Sequence, residues 1–349
     1  MINYSVFKAL AFKLDPEFIH DLTINTAHFS PLMSELFNPP KIDERYQLKL
    51  GEMTWRFPVG VAAGFDKNAR AISFFERLGF GAIEVGTVTK KPQIGNPKPR
   101  IHRHSEINSI QNAMGFPNEG SERILKNLLS TKNQKLSVGV NIGKNKDTTE
   151  QDTPAEYAYL YQMFAPHCDY LVINISSPNT PGLRNFQKKE LLSPILEAIK
   201  EVHSKVSKPI FIKIAPDLND DEIKMICELS KEFQFNGIIA TNTTTQHHFG
   251  KGGLSGQYIK PYSQKVRQKV CQYLKEDPSQ QVIGVGGIDS YDEIKEFWKQ
   301  GGGFVQVYTG FIYKGPQLLK DISQGILRDM EKYQFSNLQQ MYQNIQRVE

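Results

Sequence analysis

Several things are scarce in this sequence. Its 349 residues include only three cysteines, Cys168, Cys227 and Cys271, widely spaced and in no CxxC or CxxH pair. A disulfide framework and a zinc site are therefore not expected, and a reducing compartment is. No uninterrupted apolar run approaches the roughly 18 residues that cross a bilayer, and the N-terminus lacks the basic, apolar, small-residue order of a signal peptide. Neither integral membrane insertion nor secretion is expected. No Lys/Arg block forms a nucleic-acid arm, although Lys plus Arg outnumber Asp plus Glu by 42 to 37. That mild excess suits an anionic ligand or an acidic membrane surface, and no nucleic-acid partner is expected. A complete G-x-G-x-x-G is missing after the first apolar run, which counts against a doubly wound dinucleotide-binding sheet. Asn174-Ile175-Ser176 and Asn242-Thr243-Thr244 match the glycosylation triplet, but they end apolar strands in a chain with no export signal.

What is present is a recurring pattern, clearest from Tyr170 to Gly182 (YLVINISSPNTPG). An apolar, β-branched run suits a buried strand, and two prolines and a glycine then forbid any regular continuation. The same strand-then-polar-loop pattern recurs near 58–62, 81–86, 136–142, 170–175, 209–214, 237–241, 281–285 and 303–308. Amphipathic segments fall between these runs, with Asp220, Ser290 and Asp292 at helix starts and Gly79 and Gly301 at helix ends. Eight strands alternating with eight helices predict an α/β fold, a (β/α)8 TIM barrel over residues 41–333 with a small N-terminal helical extension. From about Gln334 to 349 a Gln/Asn-rich tail is expected to form a surface helix.

Residues 1–40 read as a separate helical module. Val6, Phe7, Leu10, Ala11 and Leu14 fall at helical spacing, and Asp15-Pro16-Glu17 starts a second helix whose Phe18, Ile19 and Leu22 are expected to face inward. Asn38-Pro39-Pro40 stops it, and a polar linker leads to Trp55. Such a pair could simply dock on the barrel, lie on a membrane face, cover a pocket mouth or bind a partner protein.

In a barrel the residues just past each strand converge on one face. Here they are polar or glycine-rich: Ala63-Gly64-Phe65-Asp66-Lys67, Thr87, Asn141, Asn174 with Ser176, Ser177 and Asn179, Lys213, Thr241-Asn242-Thr243-Thr244, Gly286-Gly287 and Tyr308-Thr309. A buried sheet has no packing use for such groups, so they predict a polar pocket. Gly286 and Gly287, with amides after the last strand, suit a phosphate cradle or merely a pair of tight turns. Gly252 to Gly256 is expected to be a flexible loop. His102 and His104 lack a nearby carboxylate cluster, so no metal site is expected. They and His247 and His248 are taken as surface residues, while His20 suits either a channel or helix packing.

AAGFDK at 62–67, NAMGF at 112–116, NIGKNK at 141–146, INISSPNTPGLR at 173–184, KIAPD at 213–217, TNTT at 241–244, GGLSG at 252–256 and GVGGID at 284–289 together resemble dihydroorotate dehydrogenase. The N-terminal helical pair, and a serine rather than a cysteine after the fourth strand, resemble its quinone-dependent, membrane-associated class. The resemblance implies one FMN, oxidation of dihydroorotate to orotate in de novo pyrimidine synthesis, and electron transfer to a membrane quinone. It implies that Ser177 takes the C5 proton while hydride leaves C6 for flavin N5. Substrate contacts would come from Lys67, Asn112, Ala113, Met114, Gly115, Phe116, Asn174, Asn179, Asn242 and Thr243. FMN would be held by Ala63, Gly64, Phe65, Asp66, Lys67, Thr87, Asn141, Asn174, Lys213, Thr241, Gly256, Gly287, Tyr308 and Thr309. A monomer attached peripherally to the cytoplasmic face of the cell membrane is the implied setting. Ala113 and Pro117 depart from the arginine and asparagine often found there in related proteins. Alternative chemistries are a Schiff base on Lys213, as in aldolases, and an FMN reductase acting on pyrimidines or on uridine in RNA.

Overall fold

The computed structural model describes residues 4–131 and 135–348. Helices α1 (Tyr4–Ala11) and α2 (Pro16–Phe29) precede a hairpin of β1 (Leu48–Leu50) and β2 (Met53–Trp55). The barrel then begins with β3 (Val59–Val61), α3 (Ile72–Leu78) and β4 (Ala82–Val88). An excursion of β5 (Ile101–His104), β6 (Ser109–Asn112) and α4 (Ser121–Ser130) leads to β7 (Ser137–Ile142). Next come α5 (Thr153–Phe164), β8 (Tyr170–Asn174), α6 (Lys189–His203), β9 (Ile210–Ile214), α7 (Asp220–Glu232) and β10 (Gly237–Ala240). After β11 (Gly253–Gly256) and α8 (Lys260–Leu274), the chain finishes the barrel with β12 (Gln281–Gly284), α9 (Tyr291–Lys299) and β13 (Val305–Val307). Three helices close the chain: α10 (Thr309–Lys314), α11 (Gln317–Lys332) and α12 (Leu338–Gln343).

Strands β3, β4, β7, β8, β9, β10, β12 and β13 pair in parallel, each with the next, and β13 returns to β3 through Val305 opposite Val59. All eight expected strands are present and the barrel is closed. Their side chains are almost entirely buried because helices cover the outside and neighbouring strands fill the inside. The start of α7 differs by one residue from expectation: Asn219, not Asp220, caps it, through a reciprocal capping box with Glu222.

Three regions depart from the sequence reading. The linker before Trp55 is the β1–β2 hairpin, with Leu48, Leu50, Met53 and Trp55 buried and Lys49 and Thr54 exposed between them. Trp55 stacks on Phe304 at 4.3 Å and packs near Tyr170, so the hairpin plugs the N-terminal end of the barrel. Gly253–Gly256 is not a flexible loop but the edge strand β11, antiparallel to β6, which pairs in turn with β5. Its glycines serve close approach, since a Cβ on Gly253 would meet Thr243 Oγ1 at 2.0 Å. The C-terminal tail is docked rather than superficial, with Leu338, Met341, Ile345 and Val348 buried at helical spacing among the glutamines.

The N-terminal module also turns differently from expectation. Asp15 does cap α2, accepting from the amides of Glu17 and Phe18. Phe18 and Leu22, however, are exposed, and Glu17, Ile24 and Ala27 face the barrel. One anchor of this face is electrostatic: Arg100 is buried and donates Nη2 to Glu17 Oε1 at 2.6 Å, which seats Glu17 against the barrel on the same side as Ile24 and Ala27, while Phe18, Asp21 and Leu22 stay exposed. Burial alone would raise the Glu17 carboxyl, yet bonds from Arg100 and Lys98 hold it below its usual range.

Candidate active site

A cavity of about 1180 Å3, its mouth included, opens at the C-terminal end of the barrel. Among the described residues, every barrel strand or the loop directly after it contributes to its wall except β7. β5, β6 and β11 add a rim through Ile101, Ile110, Asn112 and Ser255.

The floor rests on a hydrogen-bonded polar layer inside the barrel, from which Lys213 and Gln306 reach the cavity. Lys213, in the middle of β9, places Nζ 3.1 Å from Glu84 Oε1. Asn141 Nδ2 donates to the same oxygen at 2.7 Å, and Gln306 Nε2 donates to Glu84 Oε2 at 2.6 Å. Above this layer Thr87 donates its hydroxyl to Asn141 Oδ1 at 2.6 Å, while Asn174 Nδ2 donates to Thr87 Oγ1 at 2.9 Å. Asn242 Nδ2 donates to Ser176 Oγ at 3.1 Å, and Asn179 Nδ2 to Asn112 Oδ1 at 2.9 Å. The amides brace one another, which fixes a set of donors and acceptors before any ligand arrives.

Ser177 sits on the loop after β8, buried, its Oγ accepting from the Asn179 amide at 3.3 Å. No histidine or carboxylate bonds this hydroxyl among the described residues. Arg184 holds the far end of the loop: Nε donates to Ser176 O at 3.0 Å and Nη2 to Thr243 O at 2.7 Å, and Nη1 pairs with Asp217 at 2.5 Å. The buried hydroxyls of Thr180 and Thr243 find no partner among the described residues.

Lys67, after β3, is the second cation of the cavity. Its Nζ lies 3.0 Å from His20 Nε2 on α2, which ties the N-terminal module to the site. Burial pulls Lys67 down to about 8, against the opposing charges of Asp21, Glu17 and Asp66. His20 is held well below its usual value by burial and then by the Lys67 charge, so its neutral ring accepts from the ammonium. The ring also packs against Phe65 at 5.5 Å.

Gly286 and Gly287 turn at the cavity wall with φ of 96° and 73°. A Cβ there would strike Ser263 Oγ at 2.4 Å and Lys260 Cβ at 2.6 Å, so the protein itself already demands glycine at both positions.

A family model described as dihydroorotate dehydrogenase matches residues 46–330. The chain belongs to the dihydroorotate dehydrogenase family. A Vibrio parahaemolyticus protein named dihydroorotate dehydrogenase (quinone) is 42% identical over 334 residues, covering 91% of this chain and 98% of that one. A protein of the same name from Nitratiruptor sp. is 37% identical over 349 residues, covering 97% of each chain. Crystal structures of the Eimeria tenella DHODH, ligand-free and in complex with ferulenol, superpose with a TM-score of 0.83 at 32% identity. They cover 93% of this chain and 98% and 94% of theirs, respectively.

Most positions that the sequence assigned to a dihydroorotate dehydrogenase site meet in the one cavity. Ser177, Lys67, Lys213, Asn112, Met114, Gly115, Phe116, Asn174, Asn179, Asn242 and Thr243 line it, as do Ala63, Gly64, Thr87, Thr241, Gly256, Gly287, Tyr308 and Thr309. Four positions lie outside the lining. Phe65 packs into an aromatic cluster with Phe75, Tyr308 and Phe311, and Asp66 turns back to accept from the amides of Arg70 and Ala71. Ala113 follows β6 with its amide on Arg100 O, and Asn141 stands one layer below the floor. Glu84, Gln306 and Arg184 were not singled out from the sequence. The signal for Glu84 was present, since a carboxylate inside the apolar run AIEV is as costly as the lysine inside IFIKI. His104 bonds Gln111, and no group of three or more potential metal ligands occurs among the described residues.

Proposed function

We propose that the protein oxidises (S)-dihydroorotate to orotate, with FMN as hydride acceptor and a quinone as final electron acceptor, in de novo pyrimidine synthesis. The observation that carries this reading is the convergence of Ser177, Lys67, Lys213 and braced asparagines on one cavity of a dihydroorotate dehydrogenase barrel. FMN, when bound, supplies the two-electron acceptor. Its fit is supported by polar atoms with no partner among the described residues, Gln306 Oε1 in the floor and the Thr243 hydroxyl in the wall. The turn at Gly286 and Gly287, together with Gly256 and Thr309, offers backbone amides for the phosphate. Lys213, Thr87 and Asn174 offer hydrogen-bond donors for the ring.

Lys67 and the asparagine amides at 112, 179 and 242 orient the substrate, whose carboxylate and amide edges match a cation and paired donors and acceptors. Ser177 Oγ takes the C5 proton and hands it on toward Thr180 and solvent. The walls exclude bulk water, which strengthens each of these contacts.

The outer faces of α1 and α2 expose Val6, Leu10, Phe18, Leu22 and Phe29, a patch that suits shallow seating in a lipid surface. No helix among the described residues is long and apolar enough to cross a membrane. Peripheral attachment at the cytoplasmic face, as a monomer that draws quinone from the bilayer, fits this patch. The test is orotate formation by the purified protein with a lipophilic quinone, with NAD+ or with fumarate as sole oxidant. Turnover with the quinone alone is expected, and turnover confined to a soluble oxidant rejects the quinone assignment.

A further inference from the structure

Beneath the floor of the cavity lies a charge that the chemistry above does not use. Glu84 has no exposed surface, and its two oxygens receive all three donors around it: Lys213 and Asn141 on Oε1, Gln306 on Oε2. Gln306 Nε2 is shared with Tyr170 Oη at 3.2 Å, and Gln306 Oε1 is buried at the cavity with no partner among the described residues. Lys213 and Gln306 reach the cavity, whereas Glu84 lies behind them. Packing does not explain this arrangement. An ion pair with this burial carries a large desolvation cost, and apolar side chains of similar volume commonly serve stability as well or better.

We propose that Glu84 sets the reduction potential of the flavin by supplying the counter-charge to Lys213 behind the floor of its site. The inference rests on the FMN reading above. Two electrons and a proton entering the ring leave negative charge on it, and an unopposed Lys213 ammonium nearby would stabilise that reduced form. Glu84 cancels part of this field at a distance of one side chain. It forms and breaks no bond. Dihydroorotate is still oxidised by two electrons, and the quinone still takes those electrons with two protons. What Glu84 changes is the balance between the two half-reactions, keeping the reduced flavin a strong enough donor for its acceptor. As a positioning residue it also fixes the Lys213 amine through the 3.1 Å contact.

The experiment is dye equilibration of the FMN-loaded protein to find its midpoint potential. Glu84→Gln is expected to shift the reduced-to-oxidised flavin ratio at a fixed dye poise toward reduced by on the order of tenfold, about 30 mV for a two-electron couple. Reduction by dihydroorotate should not slow, while reoxidation by quinone should. Glu84→Asp keeps a carboxylate on the same strand beside Lys213, and its potential should stay near the wild-type value. A Glu84→Gln protein with full FMN content and an unchanged or lowered potential overturns the proposal. So does an FMN-loaded Glu84→Asp protein whose potential rises by as much as expected for Glu84→Gln, which covers the case in which Glu84→Gln does not fold. A wild-type protein that binds no FMN at all would instead remove the functional reading on which the inference stands.

Discussion

Lys67 carries its charge under strain of burial, and that sets the pH range in which it can grip an anion. Desolvation disfavours the ammonium, so the proton leaves at a lower pH than in water, near 8. Asp21, Glu17 and Asp66 oppose the shift, Arg100 adds to it, and the neutral His20 ring receives the proton side of the amine. The charged form is therefore present below about 8 and lost above it. The expected outcome is a kcat/KM for dihydroorotate that falls above that pH, approaching roughly tenfold per unit. A profile flat well past that point would show that Lys67 does not hold the substrate as a cation. Ser177→Ala should slow flavin reduction by dihydroorotate on the order of 10²-fold to 10⁴-fold, with FMN content unchanged, as read by anaerobic stopped-flow. Undiminished reduction would take Ser177 out of the proton transfer. At this scale the sequence was informative where a polar residue interrupted an apolar run, as with Lys213. It was uninformative where the role depends on a partner far along the chain, as with Arg184, whose contacts reach Asp217 and Thr243.

Elements whose partners are local in sequence were legible, and those defined by a distant surface were not. The Asp15 cap and the Ser290 cap each follow from a few adjacent residues and are present. The orientation of α2 does not follow from its own apolar stripe, because one of its anchors, the buried Glu17–Arg100 pair, spans 83 positions. The hairpin ahead of the barrel was passed over although Leu48, Leu50, Met53 and Trp55 alternate as a half-buried ribbon should. The outward stripe on α1 and α2 gives a direct test of its own. Replacing Leu10 and Phe18 with serine removes two exposed apolar side chains, each worth about 1.5–3 kcal/mol if fully buried in lipid. Affinity for anionic vesicles in a sedimentation assay should fall by more than tenfold, while anaerobic flavin reduction by dihydroorotate stays intact. Unchanged vesicle binding would mean that this face does not meet the bilayer.

For the whole molecule, the alternation of eight apolar runs with eight amphipathic segments was sufficient to anticipate the closed barrel, because parallel strands covered on both sides must read as continuous apolar stretches. Which residues lie at one mouth followed from the same topology, since every loop after a strand opens on the same face. The layering within that mouth did not follow. Asn141 and Glu84 sit beneath the floor rather than in it, and only the inward direction of side chains on a closed sheet decides that. The proposed function depends on a flavin held at this mouth and reducible by one particular substrate. The direct measurement is the visible absorbance of the purified protein on anaerobic addition of dihydroorotate. Prompt bleaching of the flavin band with release of orotate, and return of the band when a lipophilic quinone is added, is the predicted result. A protein without a flavin band, or one whose band is untouched by dihydroorotate, would contradict it.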